Sequence, residues 1–202
     1  MELADYESLR ARQDAERRRG RYLGIGIACY VEATSIGPYE GATVRVDPQG
    51  KVVVLTGSGP QGQGHETTLA QVCAEELSVS MDEVSVLAGD TEVFPFGMGT
   101  ISSRIATVTS NAVILAARQV REKALTLAAT LLEASPVDLT LENGKVSVRG
   151  VPHRVVTLGQ IATLALGRPG VALPPGARPG LEATDFFHPP AAIFSNGANI
   201  AV

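Results

Sequence analysis

Val52-Val53-Val54-Leu55-Thr56 passes without a break into Gly57-Ser58-Gly59-Pro60-Gln61-Gly62-Gln63-Gly64, and then into His65-Glu66-Thr67-Thr68-Leu69. A short apolar, β-branched run of this kind reads as a buried strand. The glycines and the proline after it read as a loop. From there Leu69, Val72, Cys73 and Leu77 recur at helical spacing and define one apolar face. The unit is therefore strand, glycine-rich loop, helix. Glycine lets backbone N–H groups come close to a ligand, and a helix N-terminus adds partial positive charge. Gln61, Gln63, His65, Glu66 and Thr67 stand at that helix start. Glutamine amides both donate and accept, which suits a polar heterocycle better than a bare phosphate.

Upstream, Ala42–Val46 and Val52–Thr56 flank Asp47-Pro48-Gln49-Gly50, which predicts a hairpin. Tyr22–Ala33 is β-rich. Residues 2–19 read as a polar helix, with acids early, Arg17, Arg18 and Arg19 at its end, and Gly20 as its stop. Downstream, Val84–Leu87 predicts a strand that opens into a second glycine loop, from Gly89-Asp90-Thr91 to Phe96-Gly97-Met98-Gly99-Thr100. A long helix follows over roughly 104–133. Its stripe is Val113, Ala117, Val120, Ala124, Leu127, Leu131, one continuous face. Leu139–Leu141 and Lys145–Val148 flank Glu142-Asn143-Gly144, a second hairpin. Thr157 is placed to cap a short helix through Leu166.

The fold class expected is α+β, with β-hairpins and helices packed on one face. Residues 1–166 form the main body. Residues 167–180 carry four Pro and four Gly and read as a connector. Residues 181–202 read as the start of a further strand region, ending on Ala198-Asn199-Ile200-Ala201-Val202. A strand-like stop without a polar tail reads as a fragment of a longer chain.

Composition narrows the function. Lys plus Arg is 17 against 21 Asp plus Glu, a net charge of −4, which disfavours a nucleic-acid platform. Aromatics are 4% and Trp is absent, which disfavours base stacking. Two cysteines, Cys29 and Cys73, make no disulfide framework or thiolate cluster and are expected to be buried thiols. His65, His153 and His188 have no zinc-type spacing, so no metal site is assigned to protein side chains. There is neither an apolar run long enough to span a membrane nor a signal-peptide pattern, and the expected location is cytoplasmic.

At the second loop, Thr100, Ser102, Ser103 and Arg104 precede the long helix. Hydroxyls and one Arg there would suit a phosphate. Ser102 or Ser103 could equally be a plain N-cap, and Arg104 could pair with an acid. A P-loop is absent. A dinucleotide fingerprint is only partial: Gly62 and Gly64 are present, Thr67 stands where a third glycine belongs, and Asp82 and Glu83 follow at a ribose-acid spacing.

Five blocks occur in order: Tyr30-Val31-Glu32-Ala33; Gly37-Pro38-Tyr39-Glu40; Gln61-Gly62-Gln63-Gly64-His65-Glu66-Thr67; Gly89-Asp90-Thr91; and Gly99-Thr100-x-Ser102-Ser103-Arg104. The chain resembles the molybdopterin-binding large subunit of the xanthine dehydrogenase, aldehyde oxidase and carbon monoxide dehydrogenase family, with the nearest likeness to its bacterial carbon monoxide dehydrogenase-like members. The resemblance covers nearly the whole chain.

That resemblance implies a molybdenum hydroxylase. The parent enzyme would oxidise an aldehyde, an N-heterocycle or carbon monoxide by attack of a molybdenum-bound hydroxyl and hydride transfer. The cofactor would be molybdopterin, in its plain or its cytosine dinucleotide form. Gln61, Gly62, Gln63 and Gly64 would hold the pterin side, with His65 either joining them or acting as a structural cap. Gly99, Thr100, Ser102, Ser103 and Arg104 would hold the pterin and its phosphate. Family members often have glycine where this chain has Ser102. The family's glutamate base lies in a Gly-x-Gly-Glu segment that does not occur here, so no catalytic residue is assigned and the isolated chain is expected to be inactive. Partners implied are the rest of the large subunit and iron–sulfur and FAD subunits, with a homo-oligomer also expected and no nucleic acid. Two other readings stay open: a non-catalytic folding or dimerisation fragment, and a small nucleotide-binding domain.

Overall fold

A computed structural model describes residues 5–167, 173–174, 176 and 178–201. The described chain divides into two units, 1–34 with 193–202, and 35–192.

In the first unit, α1 (Tyr6–Arg17) starts on the side chain of Asp5, which accepts from Ser8 N. Its expected first residues, 2–4, lie outside the described residues. β1 (Gly26–Thr34) pairs antiparallel with β9 (Ile193–Ala201), a two-stranded ribbon. Cys29 lies on β1 and is exposed, not buried as expected. Strand alternation decides which face a side chain takes, and only a covered face buries it.

The second unit is built on a four-stranded sheet in the order β4-β3-β2-β8. β2 (Glu40–Val46) and β3 (Val52–Thr56) form the expected hairpin, with Val46 opposite Val52. Asp47 closes the turn by accepting from the N–H groups of Gln49 and Lys51 at 2.8 and 2.9 Å. β8 (Leu181–Phe187) joins the other edge of β2, antiparallel. β4 (Val84–Ala88) runs parallel to β3. Between them lies α2 (His65–Leu77), so β3-α2-β4 is a crossover unit.

α2 and α3 (Ser110–Leu132) pack on the face of the sheet that carries Ala42, Val44, Val46, Val52 and Val54. Leu69, Cys73 and Leu77 on α2, and Val113, Ala117, Val120, Ala124 and Leu127 on α3, are fully buried, as their spacing predicts. Leu131, expected in that stripe, is 41% exposed. In the last turns burial passes to Ala128 and Leu132, which share the core with Leu139, Leu141 and Val146. Those three belong to a separate antiparallel sheet of β5 (Leu139–Glu142), β6 (Lys145–Val148) and β7 (Val151–Thr157). α4 (Leu158–Ala165) follows β7. Its N-cap is a full capping box between Thr157 and Gln160, as Thr157 promised.

Candidate functional site

Both glycine loops leave carboxyl ends of neighbouring parallel strands. Loop 57–64 follows β3 and loop 89–104 follows β4, so the ladder that pairs Thr56 with Ala88 also puts the loops side by side. Open α/β arrangements place ligands at such strand ends. The contact between the loops needs glycine: a Cβ on Gly89 would lie 3.1 Å from Gly59 Cα, and one on Gly57 would overlap the Phe96 carbonyl. Thr100 Oγ1 donates to the Gly59 carbonyl and ties one loop to the other. Asp90 caps its own loop, its side chain accepting from Glu92 N at 3.0 Å and its carbonyl from Phe94 N at 2.9 Å. Phe94 and Phe96 seat the loop against Phe186 of β8, and Phe186 meets Tyr39 edge-on at 5.6 Å. His188 also packs its ring 5.6 Å from Tyr39.

A cleft of about 360 Å³ opens between the loops. It gathers Gln61, Gln63 and His65 from the first and Thr100, Ser102, Ser103 and Arg104 from the second. Gly62, Gly64 and Gly99, assigned to the site with them, do not line the cleft; they lie in the same two loops with φ of 101°, 75° and 80°. Gln63 accepts from Gln61 N at 2.7 Å and donates to Gln61 Oε1 at 3.2 Å. Gly64 precedes α2 with no side-chain cap. Ser102 and Ser103 have φ of 44° and 48°, so neither is an ordinary N-cap. Left-handed backbone is a strained state for serine and a free one for glycine. The long helix, expected to begin near 104 as an α-helix, opens instead with a π-turn over Ile105–Thr109. Such wide turns concentrate at functional sites.

Met98, at the loop tip, is half-exposed, with its sulfur against Gly37. Arg104 is fully buried and paired with an acid, Glu40, to which no sequence reading assigned a role. Its Nη1 donates to Glu40 Oε1 and its Nη2 to the Tyr39 carbonyl at 2.8 Å. The cation that was expected to meet a phosphate therefore already has its counter-charge. Glu40 was legible in principle: Glu40, Ala42, Val44 and Val46 alternate, and the last three face the core. A carboxylate at a core position of a strand marks a site where local chemistry overrides packing.

Among the described residues, three buried side-chain polar atoms have no hydrogen-bond partner: Glu16 Oε2, His65 Nδ1 and Arg104 Nε. Glu16 Oε2 lies 3.3 Å from Arg21. The other two belong to residues lining the cleft, each more than nine-tenths buried. Buried polar atoms in native proteins are ordinarily satisfied, and Arg104 Nε can only donate. Asp82 and Glu83, the acids a dinucleotide reading needs, form a short turn ahead of β4 with Glu83 bound to Ser80 N. That is the opposite end of the strand from the cleft, roughly 16 Å away. No group of three or more His, Cys, Asp or Glu side chains among the described residues is placed to hold a metal ion.

Fold and cleft together define a domain with two glycine loops at the ends of parallel strands and two buried, unpartnered polar side chains at the cleft between them. The molybdopterin cofactor-binding domain family matches residues 1–202. The nicotine 6-hydroxylase large subunit of Paenarthrobacter nicotinovorans is 37% identical over 213 residues, covering 100% of this chain and 26% of its own length. The carbon monoxide dehydrogenase large chain of Afipia carboxidovorans is 33% identical over 219 residues, covering 100% and 27%. Among solved structures, quinoline 2-oxidoreductase from Pseudomonas putida 86 superposes with a TM-score of 0.72 at 37% identity, covering 98% of this chain and 27% of that one. The chain belongs to the molybdopterin cofactor-binding domain family. It spans about a quarter of the length of these relatives. No helix among the described residues is long and apolar enough to cross a membrane.

Proposed function

We propose that this chain is the cofactor-holding part of a cytoplasmic molybdenum hydroxylase, and that molybdopterin, plain or as its cytosine dinucleotide, lies in the cleft between Gln61–His65 and Gly99–Arg104. The observation that carries this reading is the convergence of His65 Nδ1 and Arg104 Nε, both buried and unpartnered, on one cleft between two glycine loops. A pterin with a phosphate tail offers ring nitrogens, a carbonyl and anionic oxygens, which match those atoms and the neighbouring amides and hydroxyls. When bound, the group supplies a molybdenum centre able to accept two electrons from the substrate.

The chain's own residues bind and orient. Gln61 and Gln63 present amide edges to the heterocycle, and Ser102 and Ser103 offer hydroxyls toward its phosphate end, while Thr100 gives its hydroxyl proton to the Gly59 carbonyl and holds the loops together. Arg104 contributes one N–H, not a free positive charge. In this reading none of these side chains takes the substrate's proton, and the complete enzyme works with iron–sulfur and FAD partners and oxidises an aldehyde, an N-heterocycle or carbon monoxide. The names of the relatives, which refer to nicotine, quinoline and carbon monoxide, support that substrate range.

The test is the molybdenum and pterin content of the complete protein purified from a host that makes the cofactor. Stoichiometric amounts of both are expected. Folded protein with neither overturns this reading and favours a non-catalytic fragment.

A further inference from the structure

Glu40 does not line the cleft, but it bonds to Arg104, which does, and to both loops that form it. Oε1 accepts from Met98 N at 2.8 Å, from Gly99 N at 3.1 Å and from Arg104 Nη1. Oε2 accepts from Ser58 Oγ at 3.1 Å, and Ser58 lies 2.8 Å from Thr109 Oγ1 in the π-turn. One carboxylate on β2 thus joins the loop after β3, the loop after β4 and the start of the long helix. It is fully buried. Gly97 closes over it so tightly that a Cβ there would overlap Oε2.

We propose that Glu40 is the positioning residue of the molybdopterin cleft, an inference that rests on the cofactor reading above. It does two things. It fixes the Gly97–Gly99 backbone, whose N–H groups would otherwise turn elsewhere for an acceptor, and so sets the spacing between the two loops. It also cancels the charge of Arg104 while leaving Nε free. Among the described residues no lysine and no second arginine lines the cleft. What this part of the protein offers the bound group is therefore directional hydrogen bonding and not an unpaired counter-charge, and the match of loop geometry to ligand bears on how long it stays. Residues that orient the direct ligands of a bound centre commonly change affinity about 10- to 100-fold when replaced.

Glu40→Gln alone is a poor test, because it leaves Arg104 as a buried cation without a counter-charge. Two neutral backgrounds avoid this. Glu40→Gln with Arg104→Met removes both charges and leaves an amide oxygen able to accept from Met98 N–H and Gly99 N–H. Glu40→Met with Arg104→Met also removes both charges, a replacement that buried ion pairs often tolerate, and leaves no acceptor there. Both variants are made in the complete protein, in a host that makes molybdopterin. The measurements are pterin per polypeptide, the half-time of pterin release well below the melting temperature, and the melting temperature itself. The Glu40→Met/Arg104→Met variant is expected to melt close to the Glu40→Gln/Arg104→Met variant but to release pterin about tenfold faster, a difference of about 1.4 kcal/mol in the bound state. Equal pterin content and equal half-times in the two variants overturn the proposal and leave Glu40 a plain counter-ion. Native protein that carries no pterin overturns the cofactor reading itself, and this inference with it.

Discussion

Gly97 lies against the Glu40 carboxylate so closely that no side chain fits between them. Its φ of 120° is also outside the range that L side chains adopt readily. Gly97→Ala must therefore move the loop, twist the backbone, or displace the buried carboxylate. The expected cost is about 2–3 kcal/mol of stability, with reduced pterin content in whatever folds. Thermal melting and pterin assay of the purified variant check this. Native behaviour in both would show that the loop gives way freely.

Ser102 makes the opposite case. Its left-handed backbone costs serine energy that glycine does not pay. Ser102→Gly is expected to stabilise the chain by about 0.5–1 kcal/mol, the strain relieved less the added freedom of the unfolded state. Ser102→Val is expected to destabilise it by about 1–2 kcal/mol, because a branched residue fits that backbone poorly. Denaturant unfolding of the three proteins side by side gives the order Gly, Ser, Val.

Thr100 is the direct tie between the loops. Thr100→Ala removes one hydrogen bond worth about 1 kcal/mol. Release of bound pterin is expected to quicken about fivefold. Thr100→Ser keeps the hydroxyl and should restore the native half-time.

His65 tests the unpartnered atoms. His65→Phe keeps a flat ring of similar size and removes both ring nitrogens. If Nδ1 meets the ligand, pterin content falls about tenfold while melting changes by less than about 1 kcal/mol. If His65 is only a helix-start residue, melting falls and the bound fraction of folded protein does not.

The two cysteines separate cleanly. Burial, with a smaller push from the Glu76 carboxylate, raises the Cys73 thiol from 9.0 to about 12. A thiol whose pKa is raised by folding stabilises the fold below its unfolded pKa. That contribution is lost as pH climbs from about 9 towards about 12, because the unfolded chain releases its proton first. Stability should fall in that window by up to about 1.4 kcal/mol per pH unit, and Cys73→Ala should remove this part of the fall. Iodoacetamide on the folded chain should label Cys29, which is exposed, and leave Cys73 unmodified until unfolding.

Much of this fold is written locally. The turn residues Asp47 to Gly50, the apolar spacing of α2 and α3, and the Thr157 cap each act over a few residues, and each appears where its pattern predicts. β8 opens the strand region expected from 181, but no local signal names its partner. It pairs Thr184 with Thr43, and its partner is chosen by the whole sheet. β7 begins right after the Arg149-Gly150 turn and is not among the strands expected from the sequence. Leu131 obeys the helical period yet faces out, because periodicity fixes a direction and not what stands there.

The site divides the same way. Both glycine loops could be read from their composition. Their adjacency comes from the parallel β3–β4 ladder, which periodicity cannot announce. Arg104 was visible as a cation near a helix start, but its partner, sixty-four residues earlier, was hidden by reading the strand from Ala42 and not from Glu40. A strand two residues longer puts a carboxylate among core side chains, and a buried carboxylate demands donors.

The crossover unit also sets the gauge of the cleft. Neighbouring parallel strands stand about 4.8 Å apart, and both loops spring from the same end of one such pair. Prising the loops apart means sliding β4 along β3 and breaking the ladder from Val52 to Thr56. The ladder therefore acts as a fixed hinge plate that holds the roots of the two loops at one spacing.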